Sequence, residues 1–423
     1  MLTKVERDEI IALIRQEVTP AIGCTEPIAV ALAVARVKEL LTVIPEKLDI
    51  WLSANVLKNT MGVGIPGTGM SGLPIAIAMG ALGGKSEYGL EVLRDSTPDI
   101  VEEGKKLVDR GIIKIHLKED IVEKLYIEVT ASAGPDTARV IISREHTRFS
   151  LIEKNGIKLL ELENNETEET VTEQLQLSFD KVCDFAFYTP IDEIRFIKKT
   201  VELNKAAAEE SLKGTYGHSV AQTLTNSTMG NSVYNHMLSV TAAACDARMA
   251  GAMIPVMSNS GSGNQGIAAT LPVSVFAEET GKSEEELIRA LILSHLITIY
   301  IKQSLGRLSG LCGAVVAATG SGCGVTYLMG GTREQIGFTV KNMIGNVTGM
   351  ICDGAKPSCT LKVHNGVSTA TLSALLAMDN KVVTAVEGIV DEDVDKTIQN
   401  LTKIGREGMT ETDKMVLDIM TNK

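Results

Sequence analysis

Gly349-Met350-Ile351-Cys352-Asp353-Gly354-Ala355-Lys356-Pro357-Ser358-Cys359 is the stretch from which the rest of the chain is best read. Two cysteines stand seven positions apart, with turn-forming Asp-Gly and Lys-Pro pairs between them, so the segment folds back as a loop. Residues 334–351 read as a helix entering this loop, and Thr360 starts the next apolar segment. Two thiolates on one such loop can face the same ion or cluster. A third cysteine, Cys312, lies forty residues upstream in Gly310-Leu311-Cys312-Gly313. Three thiolates from two loops suggest an iron–sulfur cluster with one iron left free for substrate. The spacing matches neither the ferredoxin nor the zinc patterns, and a buried cysteine also serves as a small hydrophobe.

Working outward, the 423 residues allow two or three domains and a large core. Apolar residues make up 44% of the chain but aromatics only 4%; 38 glycines and many alanines fill the difference, which favours helices packed at short axis distances. A net charge of −12 without a basic run argues against nucleic acid and anionic membrane surfaces. The charged N-terminal segment has no signal-peptide apolar core, and the most apolar stretch, 290–301, is too short to span a bilayer. These features predict a soluble cytoplasmic protein. In a reducing compartment, seven cysteines point to thiol chemistry or metal binding and away from a disulfide framework.

Residues 4–18 read as an amphipathic helix, broken by Pro20 and Gly23. Pro27 suits the first turn of a second helix, 27–41, so Cys24 sits just before a helix N-terminus, where the partial positive charge favours a thiolate. A strand follows at 47–56, then a segment rich in Gly, Asn and Thr (55–72) whose backbone amides can approach a carboxylate. Residues 73–82 read as a buried helix and 97–110 as a more polar one. Residues 112–117, 124–132 and 137–144 alternate like strands around a Gly134-Pro135-Asp136 turn, with edge strands at 149–153 and 156–162. The acidic segment 161–173 reads as a solvated linker and marks the domain boundary.

Beyond it the chain reads as helical, with segments near 171–187, 191–212, 220–250, 283–304, 310–318, 333–351, 365–377 and 391–404. A second Gly-rich loop, Met257-Ser258-Asn259-Ser260-Gly261-Ser262-Gly263-Asn264-Gln265-Gly266, precedes another helix whose first amides can bind an anion. Both Gly-rich loops formally fit G-x-G-x-x-G, but neither lies in a βαβ unit. His295 falls mid-helix in an apolar run and reads as a core histidine. Cys323, in Gly320-Ser321-Gly322-Cys323-Gly324, is an extra thiol on what reads as a flexible loop, a reserve ligand candidate that reads first as a packing residue; Cys183 and Cys245 read as structural.

Pro20-Ala21-Ile22-Gly23-Cys24-Thr25-Glu26-Pro27, Gly261-Ser262-Gly263-Asn264-Gln265-Gly266, Cys312-Gly313-Ala314 and Cys352-Asp353-Gly354-Ala355-Lys356-Pro357-Ser358-Cys359 together resemble the L-cysteine desulfidase family, related to the iron–sulfur L-serine dehydratase alpha chain. The resemblance covers essentially the whole chain, with the four motifs in the family's order. It implies an oxygen-sensitive [4Fe-4S] cluster on Cys312, Cys352 and Cys359 and a proton-abstracting cysteine at Cys24. Many serine dehydratase relatives carry a further cysteine near the C-terminus; here the sequence reads Met420-Thr421-Asn422-Lys423, which favours desulfidase over dehydratase and an open fourth iron.

The expected fold is α+β: N-terminal helices (1–45) packing on the catalytic domain, a small α/β domain (46–170) inserted after them, and a large helical iron–sulfur catalytic domain (171–423). The expected reaction is elimination of sulfide from L-cysteine, with an iron holding the departing sulfur as Lewis acid and Cys24 taking the α-proton, to give pyruvate and ammonia. Candidate substrate-binding residues are Asn59, Thr60, Ser260, Ser262, Asn264 and Lys362, beside the amides of 62–69. The expected partner is a small amino acid, with no nucleic acid and no membrane, and the expected assembly is a homodimer. The alternatives are an L-serine dehydratase, a pyridoxal-phosphate lyase, a non-catalytic amino-acid sensor or assembly protein, and a nucleotide-dependent oxidoreductase. The pyridoxal-phosphate reading lacks an evident Schiff-base lysine and leaves the three cysteines unused.

Overall fold

The structure is a computed structural model that describes residues 2–119, 121, 123–162, 175–227 and 231–422. The first helix, α1 (Lys4–Glu17), opens on a capping box between Thr3 and Glu6 and leads through a short strand, β1 (Pro20–Ile22), into α2 (Thr25–Leu41). β2 (Lys47–Leu52), β3 (Ile113–Leu117), β4 (Tyr126–Ala133), β5 (Asp136–Ser143), β6 (Phe149–Lys154) and β7 (Ile157–Glu161) form one sheet in the order β3-β2-β4-β5-β6-β7. The β2–β3 pair is parallel and the others antiparallel. A parallel pair needs a long crossover, and α3 (Ala54–Thr60), α4 (Leu73–Leu82) and α5 (Pro98–Asp109) lie within it.

The rest is helical apart from one strand: α6 (Phe179–Tyr188), α7 (Ile191–Ile194), α8 (Lys199–Lys213), α9 (Val220–Thr225), α10 (Val233–Met249), β8 (Pro255–Met257), α11 (Gly263–Glu279), α12 (Glu284–Leu305), α13 (Gly313–Leu328), α14 (Arg333–Val347), α15 (Cys359–Met378), α16 (Val394–Lys403) and α17 (Thr410–Thr421). The chain is thus α+β, with a small mixed sheet inserted among helices. Among the described residues no helix is long and apolar enough to cross a membrane.

Small residues set the helix spacing. A Cβ on Gly320 of α13 would fall 2.2 Å from the Ser294 carbonyl of α12, and one on Gly324 3.0 Å from that of Ala290, so the two backbones touch. A Cβ on Gly80 of α4 would likewise meet the Ala31 carbonyl of α2 at 2.6 Å. The short β1 pairs antiparallel with β8, with Ala21 opposite Val256, and ties the N-terminal segment to the helical part.

Several elements differ from the sequence expectation. The strand from residue 47 ends at Leu52, and Asn59 and Thr60 fall in α3, because Ser53 starts a helix there. The Gly320–Gly324 segment is buried helix: its glycines serve close packing and not flexibility, and the Cys323 thiol points to the Ile336 carbonyl. The expected helix over 220–250 is divided into α9 and α10, and α17 has no counterpart in the reading. Ile10, Leu13 and Ile14 of α1 are buried among the helices, whereas α2, apolar around its whole circumference, packs against β4, β5 and α4. That placement differs from the expectation that both N-terminal helices pack on the helical part. Residues 163–173 of the expected acidic boundary lie outside the described residues.

His295 is a satisfied core histidine. Asn259 Nδ2 donates to its Nδ1 at 2.9 Å, and Nε2 faces Thr270 Oγ1 at 3.1 Å, so its neutral form carries the proton on Nε2. Burial depresses it to about 3. A ring neutral in the fold but protonated in the unfolded chain contributes stability above about pH 6.5, and that stability is lost as the pH falls toward 3. The thermal midpoint should therefore drop across this window, and His295→Gln should flatten the drop; an identical pH dependence in the variant would contradict this account. Gly266 is a second tight point, where a Cβ would lie 1.8 Å from the Met257 carbonyl. Gly266→Ala should cost about 3 kcal/mol or more in urea unfolding, whereas Gly349→Ala, with open space around it, should be nearly neutral.

Candidate active site

Gly23, at φ +76°, presses against Pro66 of the first Gly-rich loop, where a Cβ would fall 2.4 Å from the proline ring. The turn it makes sets Cys24 at the N-cap of α2, behind the β1–β8 pair. The neighbouring loop on the helical side is held by Ser258 N donating to the Thr19 carbonyl and Ser260 N to the Glu17 carbonyl. Arg307 clamps Glu17 with two hydrogen bonds of 2.9 and 2.7 Å. Cys24 is thereby buried between the sheet part and the helical part.

The Cys24 thiol donates to Glu26 Oε2 at 3.1 Å. Thr25 Oγ1 donates to the same oxygen, and Asn59 Nδ2 donates to Oε1 at 3.0 Å. Burial, then the Glu26 charge, push the Cys24 thiol well above its ordinary range, and Arg248 offsets only part of this. The direction is opposite to the lowered value expected from the helix N-terminus alone: desolvation in a closed site outweighs the helix dipole. Burial also works against the Glu26 charge. The nearby His146 and the hydrogen bonds from Cys24 and Thr25 outweigh it and hold the carboxyl below its usual range. Cys24 is thus a protonated thiol aimed at an ionised acceptor.

Cys312 and Cys352 lie on adjacent extended segments, joined by a bridge between Leu311 and Ile351. Cys312 N donates to the Met350 carbonyl at 2.9 Å and Cys352 N to the Gly310 carbonyl at 2.8 Å. Cys359 begins α15, at the far end of the same loop. Burial, then Cys352 and Cys359, push Cys312 up to about 12, and Cys359 is raised by burial and by Cys352. The three thiols are therefore close enough to oppose one another's ionisation. Among the described residues, no three His, Cys, Asp or Glu side chains converge to hold a single metal ion. A cubane makes a different demand, because each thiolate binds a separate iron. The Ala314 amide beside the Cys312 thiol and the lysines around the loop favour thiolates, so the donor set fits such a cluster.

The lysines shape the loop. Lys58, fully buried, donates to Asp413 Oδ1 at 2.6 Å and to the Cys352 carbonyl at 3.0 Å. Lys362 reaches the Ile351 carbonyl and the Asp353 carboxylate, and Lys356 reaches Asp353 Oδ1 at 2.6 Å. Against the cost of burial, Lys356 and Lys362 hold Asp353 down to about 2. Lys302 is held down to about 8 by burial and by Arg307, while the charges of Cys352, Glu17 and Glu26 pull the other way. Its ammonium donates to the Arg307 carbonyl at 3.0 Å.

The residues expected to bind substrate are spread around this centre. Asn59 touches Glu26, and its Oδ1 is buried without a partner. Thr60 turns back to the Leu57 carbonyl, and the Ser260 hydroxyl to Asn259 Oδ1. Ser262 is the N-cap of α11, and Asn264 Oδ1 accepts from Arg248 Nη1 at 2.9 Å. Lys362 belongs to the cysteine loop. The amides of the first Gly-rich loop are largely used internally: Gly64 N donates to the Met249 carbonyl and Gly67 N to that of Gly251, so these glycines serve backbone contact. Sequence reasoning passed over Glu26, Lys58, His146, Arg248, Gln265 and Lys302. Only Glu26 carried a local signal, two residues from Cys24.

Removing one partner of the buried Lys58–Asp413 pair strands the other. Lys58→Met should lower stability by about 3–5 kcal/mol in urea unfolding, and adding Asp413→Leu should recover much of the loss. Wild-type stability in Lys58→Met would contradict the reading of this pair as the clamp on the Cys352 loop.

The serine dehydratase alpha chain family model matches residues 87–418, a span that holds all three loop cysteines but begins after Cys24. Over its whole length the chain is similar to the UPF0597 protein of Bacteroides fragilis, with 66% identity across 100% of both chains. It is 54% identical to the UPF0597 protein of Porphyromonas gingivalis across 99% of both, and 46% identical to that of Oleidesulfovibrio alaskensis across 100% of both. The matched family is of lyase type, and its members are typically iron–sulfur proteins. From the extent of these matches, the chain belongs to the serine dehydratase alpha chain family.

Proposed function

We propose that the protein is an iron–sulfur lyase that eliminates sulfide from L-cysteine. The observation that carries this reading is the buried Cys24–Glu26 pair, tied to the loop of Cys352 by adjacent residues of α3: Asn59 binds Glu26 and Lys58 binds the Cys352 carbonyl. A β-elimination needs a base for the α-proton and an acceptor for the departing group. Cys312, Cys352 and Cys359 would hold the cluster, which when bound supplies an electron-pair acceptor for the leaving sulfur.

The chain's own residues account for the proton. Glu26 Oε2 accepts the Cys24 hydrogen bond at 3.1 Å and aims the thiol; once ionised, the Cys24 thiolate takes the α-proton of the substrate. Asn59 and Thr25 hold the Glu26 carboxylate in place for that contact. Burial of Cys24 excludes water from the thiolate. The Cα–H electron pair becomes the new C=C bond, and the Cβ–S bond breaks with its pair leaving on sulfur. The aminoacrylate released then tautomerises and is hydrolysed, so L-cysteine and water give pyruvate, ammonia and hydrogen sulfide.

The family description supports L-serine as a second substrate class. Sulfide suits this site better. Hydroxide needs an acid to leave, and Lys356 and Lys362, the cations on the cysteine loop, are both committed to Asp353. A thiol ionises near pH 8.5 and can depart as the anion.

Protein prepared without oxygen should release sulfide and pyruvate in equal amounts from L-cysteine, with a kcat/KM at least about tenfold above that for L-serine. The reverse preference would make the enzyme a serine dehydratase, and no turnover of either would refute the lyase reading. Cys24→Ser should retain iron and lose about 10²–10⁴-fold in kcat. Because the base must be deprotonated and its thiol is raised, kcat should climb from neutral into alkaline pH; a rate falling over that range would remove Cys24 as the base.

A further inference from the structure

We propose that the Arg248 guanidinium and the first-turn amides of α11 form the docking site for the substrate's α-carboxylate. The inference rests on the amino-acid lyase reading and names the group that selects the substrate class. Arg248, at the end of α10, is almost wholly buried, yet among the described residues it has no carboxylate within ion-pair distance. Among the described residues its one side-chain hydrogen bond is from Nη1 to Asn264 Oδ1, and its Nε is buried without any acceptor. A cation taken out of water without a counter-charge is strongly unfavourable, so such a site is built for an anion.

The guanidinium is aimed at a helix start. A Cβ on Gly263 would fall 2.2 Å from Arg248 Nε, so only glycine allows the side chain to lie against the first residue of α11. The N-cap Ser262 offers no side-chain hydrogen bond to the helix, which leaves the first-turn amides facing the same region. A planar guanidinium beside free amides matches a carboxylate by shape as well as by charge.

The site also adjoins the chemistry. Cys24 feels the Arg248 charge, and Gln265, in the same first turn, packs against Gly313, the neighbour of Cys312. Gln265 Oε1 and Asn59 Oδ1 are buried acceptors without partners, suited to the α-ammonium group. An amino acid bound this way sets its carboxylate on Arg248 between the thiol base and the cysteine loop.

The test is equilibrium binding to the full chain in cluster-free form, where no turnover occurs, by calorimetry. The probes are 3-mercaptopropionate, which has the carboxylate but no amine, and cysteamine, which has the amine but no carboxylate. Wild type should prefer 3-mercaptopropionate. Arg248→Lys, which keeps the charge but loses the two-pronged geometry, should weaken it roughly 10–100-fold and leave cysteamine unchanged. Arg248→Met should weaken it further, and circular dichroism melts identify a variant that has failed to fold, in which case Arg248→Lys decides alone. Unchanged 3-mercaptopropionate binding in Arg248→Lys, or equal binding of both probes to wild type, would overturn the proposal. The two readings fail separately. If the carboxylate site behaves as expected but the anaerobic enzyme turns over neither amino acid, the lyase reading falls alone; if turnover occurs and Arg248→Lys leaves KM unchanged, the carboxylate assignment falls alone.

Discussion

The antiparallel pairing of Pro20–Ile22 with Pro255–Met257 is the constraint on which the site depends. On one side of that strand, α1 is buried among the helices; on the other, α2 is buried against the sheet. The link between them must pass where the two parts meet. Thr19 and Glu17 accept hydrogen bonds from Ser258 and Ser260, and Arg307 binds Glu17, so the link and the second Gly-rich loop are set side by side. Cys24 follows directly, at the start of a helix that cannot shift without disturbing the sheet core. Cys24 is in this way buried where the two parts meet.

The second theme is charge held out of water. Lys58, Glu26, Arg248 and Lys302 are all buried, and each is an expensive group to desolvate. Lys58 is matched by Asp413, and Glu26 by hydrogen bonds from three side chains. Arg248 is unmatched among the described residues, and Lys302 has a depressed affinity for its proton. The thiols answer burial in the opposite way, by staying protonated. A cluster bound there would displace their protons. Under the proposed reading, these cations and neutral thiols would be balanced by anions: a sulfide-bearing cluster on one side and a carboxylate on the other.

Much of the architecture was legible because it is written locally. Strands β2 to β7 follow from period-two alternation, and α4 from an unbroken run of small apolar residues. Where the same residue type serves two purposes, local reading failed. Gly320, Gly322 and Gly324 look like loop punctuation but serve helix contact: Gly320 and Gly324 face α12, and Gly322 faces Thr339 of α14 and Ala370 of α15. The cysteines and the Gly-rich loops marked the region of the site. Arg248, His146, Lys58, Asp413 and Lys302 left no mark, since their partners lie far away in sequence and their role arises only from burial. The thiol of Cys24 shows the limit most clearly: position at a helix start is a local fact, while the desolvation that reverses its effect is a property of the folded molecule.

Iron and acid-labile sulfide per chain, measured on protein purified without oxygen, test the central claim most directly. The account predicts about four of each per chain, the content of one cubane cluster, and their loss when Cys312, Cys352 or Cys359 is replaced. Absence of both, persisting after reconstitution with iron and sulfide, would contradict it.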